Sequence, residues 1–194
     1  PVFTSNSIFS VAENETAIGT ATATDADGDD VTFSVTGSEL SITSAGVLTF
    51  VSAPDYETKT SYTATVTASD GTNSTTQEIT VNVTNVNDVA PEFTSAATFS
   101  AAENQTAIGT VTATDAEGDD VTFTVSGSEL AITSAGVLTF ASAPDYETKT
   151  SYTATVAASD GTNSTTQDIT VNVTNVNDVA PEFTSNATFS AAEN

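Results

Sequence analysis

The 194-residue chain has no cysteine, histidine, methionine or tryptophan, and its only basic side chains are Lys59 and Lys149. Several of these absences remove a class of function. Without cysteine there is neither a disulfide framework nor a thiolate metal site, although the redox compartment stays open. Without histidine, cysteine or arginine, catalysis has little to stand on. Against the two lysines stand 26 Asp and Glu, a formal net charge of −24, so nucleic acid and anionic membrane surfaces are repelled. No run of about 18 apolar residues and no basic-then-apolar leader occurs, which gives neither a membrane span nor a signal peptide in this window.

What is present is a repeat. Glu13-Asn14 recurs as Glu103-Asn104 and as Glu193-Asn194, and residues 91–180 differ from residues 1–90 at only 14 of 90 positions. A period this long exceeds the usual solenoid range of roughly 20–50 residues, so each copy is expected to carry its own core. The expected domains are 1–90, 91–180 and, at 181–194, the first strand of a truncated third repeat. Pro1 matches Pro91 and the chain stops inside a third copy, so it reads as a piece of a longer array.

Within a copy, Thr, Val, Ala and Ser alternate with period two, and turn residues recur every eight to twelve positions. This is the pattern of an all-β sandwich. Seven strands are expected near 7–11, 18–24, 31–36, 40–43, 47–50, 61–68 and 76–84. In 61–68, Tyr62, Ala64, Val66 and Ala68 should face the core while Ser61, Thr63, Thr65 and Thr67 face water. Ile79, Val81 and Val83 follow the same logic, as do Val31, Phe33 and Val35. Leu40, Ile42, Leu48 and Phe50 flank a turn at Ser44-Ala45-Gly46. A core this small, with few aromatics, confers modest stability, and metal is the natural staple where cysteine is missing.

The acids gather in short clusters at strand ends, unlike a disordered acidic tail. They are Glu13, Asp25 with Asp27, Asp55 with Glu57, Asp70, and Asp88 within Asn85-Val86-Asn87-Asp88. Loops of a seven-strand sandwich alternate between its poles, so Glu13, Asp55, Glu57 and Asp88 should meet at one end and Asp25, Asp27 and Asp70 at the other. Clustered carboxylate and amide oxygens suit calcium better than a soft metal.

These motifs, in this order and twice over, resemble the cadherin repeat, specifically the cadherin-like repeats of large bacterial surface proteins. The matching features are the Glu before strand two, Asp-Ala-Asp, Asp-Tyr-Glu, Ala-Ser-Asp, and a linker close to Asp-x-Asn-Asp-x-Ala-Pro. The resemblance implies tandem Greek-key, Ig-like β-sandwiches stacked end to end, with about three Ca²⁺ at each complete interdomain joint. It assigns to the central joint Glu13, Asp55, Glu57, Asn87 and Asp88 with Asp115, Glu117 and Asp160, and the carbonyls of Val86, Val89 and Asp119. Glu103, Asp145, Glu147, Asn177 and Asp178 at one end, and Asp25, Asp27 and Asp70 at the other, form incomplete sites. Three departures from the family pattern are Asn85 for Asp, Glu117 for the second Asp of Asp-x-Asp, and Pro54 for Leu.

Charge arithmetic supports a cation without the family. Seven carboxylates spaced by about 5 Å repel by roughly 3 kcal/mol per neighbouring pair at an effective dielectric near 20. Plainer readings also exist. Asp-Gly is a turn former, and Asp29 and Asp30 read as solvated turn acids. The Asn-x-Ser/Thr triplets at Asn14, Asn73, Asn82, Asn104, Asn163, Asn172 and Asn186 arise readily in a Thr-rich chain. The outward Thr row at 63, 65 and 67 is ordinary for an exposed strand.

The expected function is therefore a non-enzymatic, calcium-rigidified segment of an extracellular fibre, stalk or adhesin, at the cell surface, with neighbouring repeats and possible homotypic assembly as its partners. The alternatives are a spacer array inside a secreted multidomain enzyme, or a filament subunit that exchanges residues 181–194 as a strand with another chain.

Overall fold

The computed structural model describes residues 1–185, 187–188 and 190–191. The described residues form strands and connections and no helix. They divide into two compact units, one comprising Pro1–Ala90 with the loop Asp115–Asp119 and the other Pro91–Thr114 with Asp120–Asn194.

In the first unit the strands are β1 (Val2–Phe3), β2 (Ile8–Ala12), β3 (Ala17–Thr20), β4 (Ala23–Thr24), β5 (Thr32–Val35), β6 (Leu40–Ile42), β7 (Val47–Phe50), β8 (Ser61–Ser69) and β9 (Ser74–Thr84). One sheet has the order β2-β9-β8-β5 and the facing sheet the order β3-β7-β6, while β1 pairs with β4. Strand β2 runs parallel to β9, with Phe9 opposite Val81 and Val11 opposite Val83. The long β8–β9 hairpin is antiparallel and in register from Ser61↔Asn82 to Ser69↔Ser74.

The alternation read from sequence sets the inner faces. Val66, Ala68, Ile79, Val81, Leu40, Leu48 and Phe50 are buried. Phe33, Val35, Ile42, Tyr62 and Ala64 pack around them. Phe50 meets Tyr62 edge to face at a centroid distance of 4.9 Å, a favoured aromatic geometry.

Two features differ from the seven-strand expectation. The single strand expected at 18–24 is two: β3 carries a register shift between Ala17 and Gly19 and ends at Thr20, and the Ala21 N–H turns to the carbonyl of Gly46 before β4 begins. Ala21 is buried there. Strand β1 lies outside the expected set: Val2-Phe3 is too short for a periodic signal, and packing of Phe3 against Phe33 fixes it.

The second unit repeats these elements as β10 (Glu92–Phe93), β11 (Thr98–Ala102), β12 (Ala107–Thr110), β13 (Ala113–Thr114), β14 (Thr122–Val125), β15 (Leu130–Ile132), β16 (Val137–Phe140), β17 (Ser151–Ser159) and β18 (Ser164–Thr174), with the same sheet orders. Beyond β18, the described residues of 181–191 form no strand. Residues 186, 189 and 192–194, on which the rest of the expected third-repeat strand falls, lie outside the described residues.

Candidate metal centre

Glu13 follows β2 and is the organising acid. Its residue is 2% exposed, an environment a carboxylate tolerates only when its oxygens are satisfied. Oε2 accepts the Tyr56 N–H at 2.8 Å and Oε1 the Val86 N–H at 2.7 Å. One side chain thus pins the loop carrying Asp55 and Glu57 and the segment carrying Asn87 and Asp88. Asn14, beside it, adopts φ 65°, and its N–H bonds the carbonyl of Pro54. Its side-chain amide donates to Asp88 Oδ2 at 2.5 Å.

The loop Asp115–Asp119 belongs to this same unit. Glu117 Oε1 accepts the N–H groups of Asp88 at 2.7 Å and Val89 at 3.1 Å. Asn87 donates its amide to Asp119 Oδ2 at 2.9 Å. Asp115 Oδ1 organises the loop by accepting the N–H groups of Glu117 and Asp119.

Glu13, Glu57, Asp88 and Glu117 each bring one carboxylate oxygen within 4.8 Å of the others, and Asp115, Glu117 and Asp119 form a second such group. Both lysines are engaged elsewhere. Lys59 bonds Glu39 and lies over the Tyr62 ring, and Lys149 does the same with Glu129 and Tyr152. Among the described residues, Asp115 Oδ2 and Glu117 Oε2 are shielded from solvent with no hydrogen-bond donor. Buried oxygens without donors, inside an uncompensated anionic group, are the donor set a hard divalent cation satisfies. The electrostatic cost is visible at Glu57. Partial loss of water around its carboxyl, then repulsion from Glu13, Glu117 and Asp55, pushes it above the ordinary glutamate range.

Other expected ligands stand differently. Asp55 lies outside the four-acid group, since its carboxylate caps the N–H and hydroxyl of Thr58. It still lines, with Glu13, Asn14, Glu57, Asp88 and Val89, a pocket of about 320 Å³. Val86 and Val89 enter the hydrogen bonding described above through their N–H groups.

In the second unit, Glu103, Glu147 and Asp178 form a three-acid group. Glu103 is 2% exposed and accepts from Tyr146 and Val176, as Glu13 does from Tyr56 and Val86. Asp145 caps Thr148, and Asn177 is exposed. Asp160 Oδ1 accepts the N–H groups of Thr162 and Asn163 and belongs to none of the three groups.

Asp25, Asp27 and Asp70 likewise join no group. The N–H of Asp27 bonded to Asp25 Oδ1 is the main reason the Asp25 carboxyl lies below the usual range. The N–H groups of Asn73 and Thr72 do the same for Asp70. Asp29 and Asp30, read as solvated turn acids, are exposed.

Asn14 and Asn104 were not among the expected ligands. Their signal was present: Asn follows each Glu of the repeated Ala-Glu-Asn motif. Asn175 adds a second amide, donating to Glu147 at 3.1 Å.

With this geometry in place, comparison with known proteins gives a consistent class. A family model described as "Bacterial Ig domain" matches residues 1–84. The protocadherin-like wing polarity protein stan of Drosophila melanogaster is 35% identical over 201 residues, spanning 88% of this chain and 6% of its own length. The human cadherin EGF LAG seven-pass G-type receptor 2 is 33% identical over 189 residues, spanning 87% of this chain and 6% of that protein. The chain therefore corresponds to a small fraction of the length of these relatives. Among solved structures, human protocadherin-24 EC1-2 aligns with a TM-score of 0.76 at 20% identity, covering 90% of this chain and 97% of that one. Mouse cadherin-23 EC22-24 aligns with a TM-score of 0.76 at 24% identity, covering 95% and 69%.

The molecule is a chain of cadherin-like tandem repeats with an all-β sandwich fold. No helix among the described residues is long and apolar enough to cross a membrane.

Proposed function

We propose that this chain is a calcium-stiffened segment of an extracellular adhesive or structural array, built from repeats at 1–90 and 91–180 with 181–194 opening the next. The single observation that carries this reading is the convergence of Glu13, Glu57, Asp88 and Glu117 within 4.8 Å, beside the donorless buried oxygens of Asp115 and Glu117. Asp55 and Asn87, and the carbonyls of Val86, Val89 and Asp119, complete the proposed ligand set, for about three Ca²⁺. The extracellular setting is supported by relatives such as the extracellular cadherin domains of protocadherin gamma B2, 25% identical over 84% of this chain. A bacterial parent is in keeping with the family match at residues 1–84.

Calcium supplies the positive charge that lets four carboxylates share a small volume, while the chain's own hydrogen bonds hold the ligand-bearing segments in place. Glu13 needs no metal to keep its position, because Tyr56 and Val86 already fix it. Glu57 and Asp88, being exposed, gain most from a cation. A ligand that binds only the folded state stabilises it by RT ln(1 + [L]/Kd), about 2.7 kcal/mol per site at 100-fold excess over Kd.

The test is thermal melting and titration calorimetry in calcium, magnesium and chelator. Calcium should raise the melting midpoint by several degrees or more. Magnesium should do so poorly at equal concentration, since it demands a strict octahedron and sheds water reluctantly. Equal stabilisation by both ions would mean that the acids are a diffuse charge sink, and the reading would fail.

A further inference from the structure

Among aspartyl dipeptides, aspartate followed by glycine is the one most open to spontaneous cyclisation, because no Cβ shields the attacking nitrogen. The chain contains three, at Asp27-Gly28, Asp70-Gly71 and Asp160-Gly161. They differ in how their reacting atoms are held. At Asp70, Oδ1 accepts the N–H groups of Thr72 and Asn73 at 2.8 and 2.6 Å, and the Gly71 N–H donates to Ser69 Oγ at 3.1 Å. At Asp160, Oδ1 accepts the N–H groups of Thr162 and Asn163, both at 2.6 Å, and the Gly161 N–H donates to Ser159 Oγ at 3.1 Å. Electrophile and nucleophile are both tied down, on a turn between the two strands of a hairpin.

Asp27 is free of these restraints. It is exposed, and among the described residues its carboxylate accepts no hydrogen bond and the Gly28 N–H donates none. Gly28 has φ +86°, with nothing within 4 Å of where a Cβ would sit. The second copy carries Glu117-Gly118 at the equivalent position, where cyclisation would need a less favourable six-membered ring.

We propose that Asp27 is the site of spontaneous isoaspartate formation in this chain, and that Asp70 and Asp160 are protected by their turns. The Gly28 nitrogen attacks Cγ of the protonated Asp27 carboxyl. The N–Cγ bond forms and the Cγ–OH bond breaks, the hydroxyl leaving with the amide proton as one water. Water then opens the five-membered imide at the Cα carbonyl, so the backbone runs through Cγ and a free α-carboxylate remains. Water is the only co-reactant and no redox change occurs. The product shifts the carboxylate along the backbone and lengthens the main chain by one atom between Asp25 and Gly28.

The full chain, aged in chelator at mildly acidic pH, is digested and its isoaspartyl links are located by electron-transfer fragmentation, with a denatured sample aged in parallel. Isoaspartate should accumulate in the folded chain at least about tenfold faster at Asp27 than at Asp70 or Asp160, the factor implied by one hydrogen bond to a charged group. The denatured sample should show all three at comparable rates, and Asp27→Glu should abolish the Asp27 product while leaving the other two sites unchanged. Comparable rates at the three sites in the folded chain would overturn the proposal, as would faster conversion at Asp70 or Asp160. Since the experiment is run without metal, its result does not depend on the calcium reading.

Discussion

The side-chain amide of Asn14 donates to the carboxylate of Asp88, 74 residues away in sequence, at 2.5 Å, and Asn104 repeats the bond to Asp178 at 2.6 Å. A neutral donor holds the linker acid in place before any cation arrives. Asn14 can do so because its φ of 65° turns the chain there, a conformation asparagine tolerates and glycine adopts freely. Replacing Asn14 by Gly should therefore keep the turn and remove only the bond. The expected loss in chelator is about 1 kcal/mol, seen as a fall of a few degrees in the melting midpoint. Asn14→Asp adds a charge against Asp88 and should cost more in chelator, with calcium recovering part of the loss.

Glu13 should be the costliest acid to remove. Glu13→Ala leaves the part-buried Tyr56 and Val86 N–H groups without their acceptor, a loss of roughly 2–3 kcal/mol in metal-free denaturant unfolding. Glu13→Gln retains one acceptor oxygen and should lose less. If alanine and glutamine were equally costly in chelator, hydrogen bonding would not be the role of this carboxylate.

Glu57 is expected to behave in the opposite sense. Its carboxyl is pushed up in the folded chain, so ionised Glu57 opposes folding when no cation is bound. Glu57→Gln should raise the melting midpoint in chelator and lower calcium affinity. The affinity loss should exceed that from Glu147→Gln, because Glu57 belongs to a four-acid group that includes Glu117 and Glu147 to a three-acid group. Calorimetric titration of both variants decides this.

Gly46 tests the fold apart from metal. A Cβ there would lie 2.1 Å from the carbonyl oxygen of Ala21, at φ +85°. Gly37 has φ +89° and no atom within 4 Å of a Cβ position. Gly37→Ala should cost about 1–2 kcal/mol of backbone strain. Gly46→Ala should cost clearly more, since backbone must move, and loss of soluble folded protein would be consistent with that ranking.

Much of this molecule was written in its alternation. Val66, Ala68, Ile79, Val81 and Val83 are inside because strand side chains alternate faces, and a period-two run in sequence states which face is apolar. The repeat, the acidic clusters at strand ends and the excess of negative charge were equally legible, because they depend on residue identity and order alone.

Tertiary structure decided which polar atoms each acid meets. Sequence marks Glu13 as an acid near a strand end, but only the tertiary structure buries it, because the loop at Tyr56 and the segment at Val86 both turn their N–H groups toward it. Sequence placed Asp55 and Glu57 together, but a local cap on Thr58 draws the first carboxylate away and leaves the second to the four-acid group. Three Asp-Gly dipeptides look alike in the sequence, and two of them are held by their own turns. The periodic pattern fixes burial because hydrophobicity is non-directional, whereas a carboxylate's role depends on hydrogen-bond directions that exist only once distant loops have met.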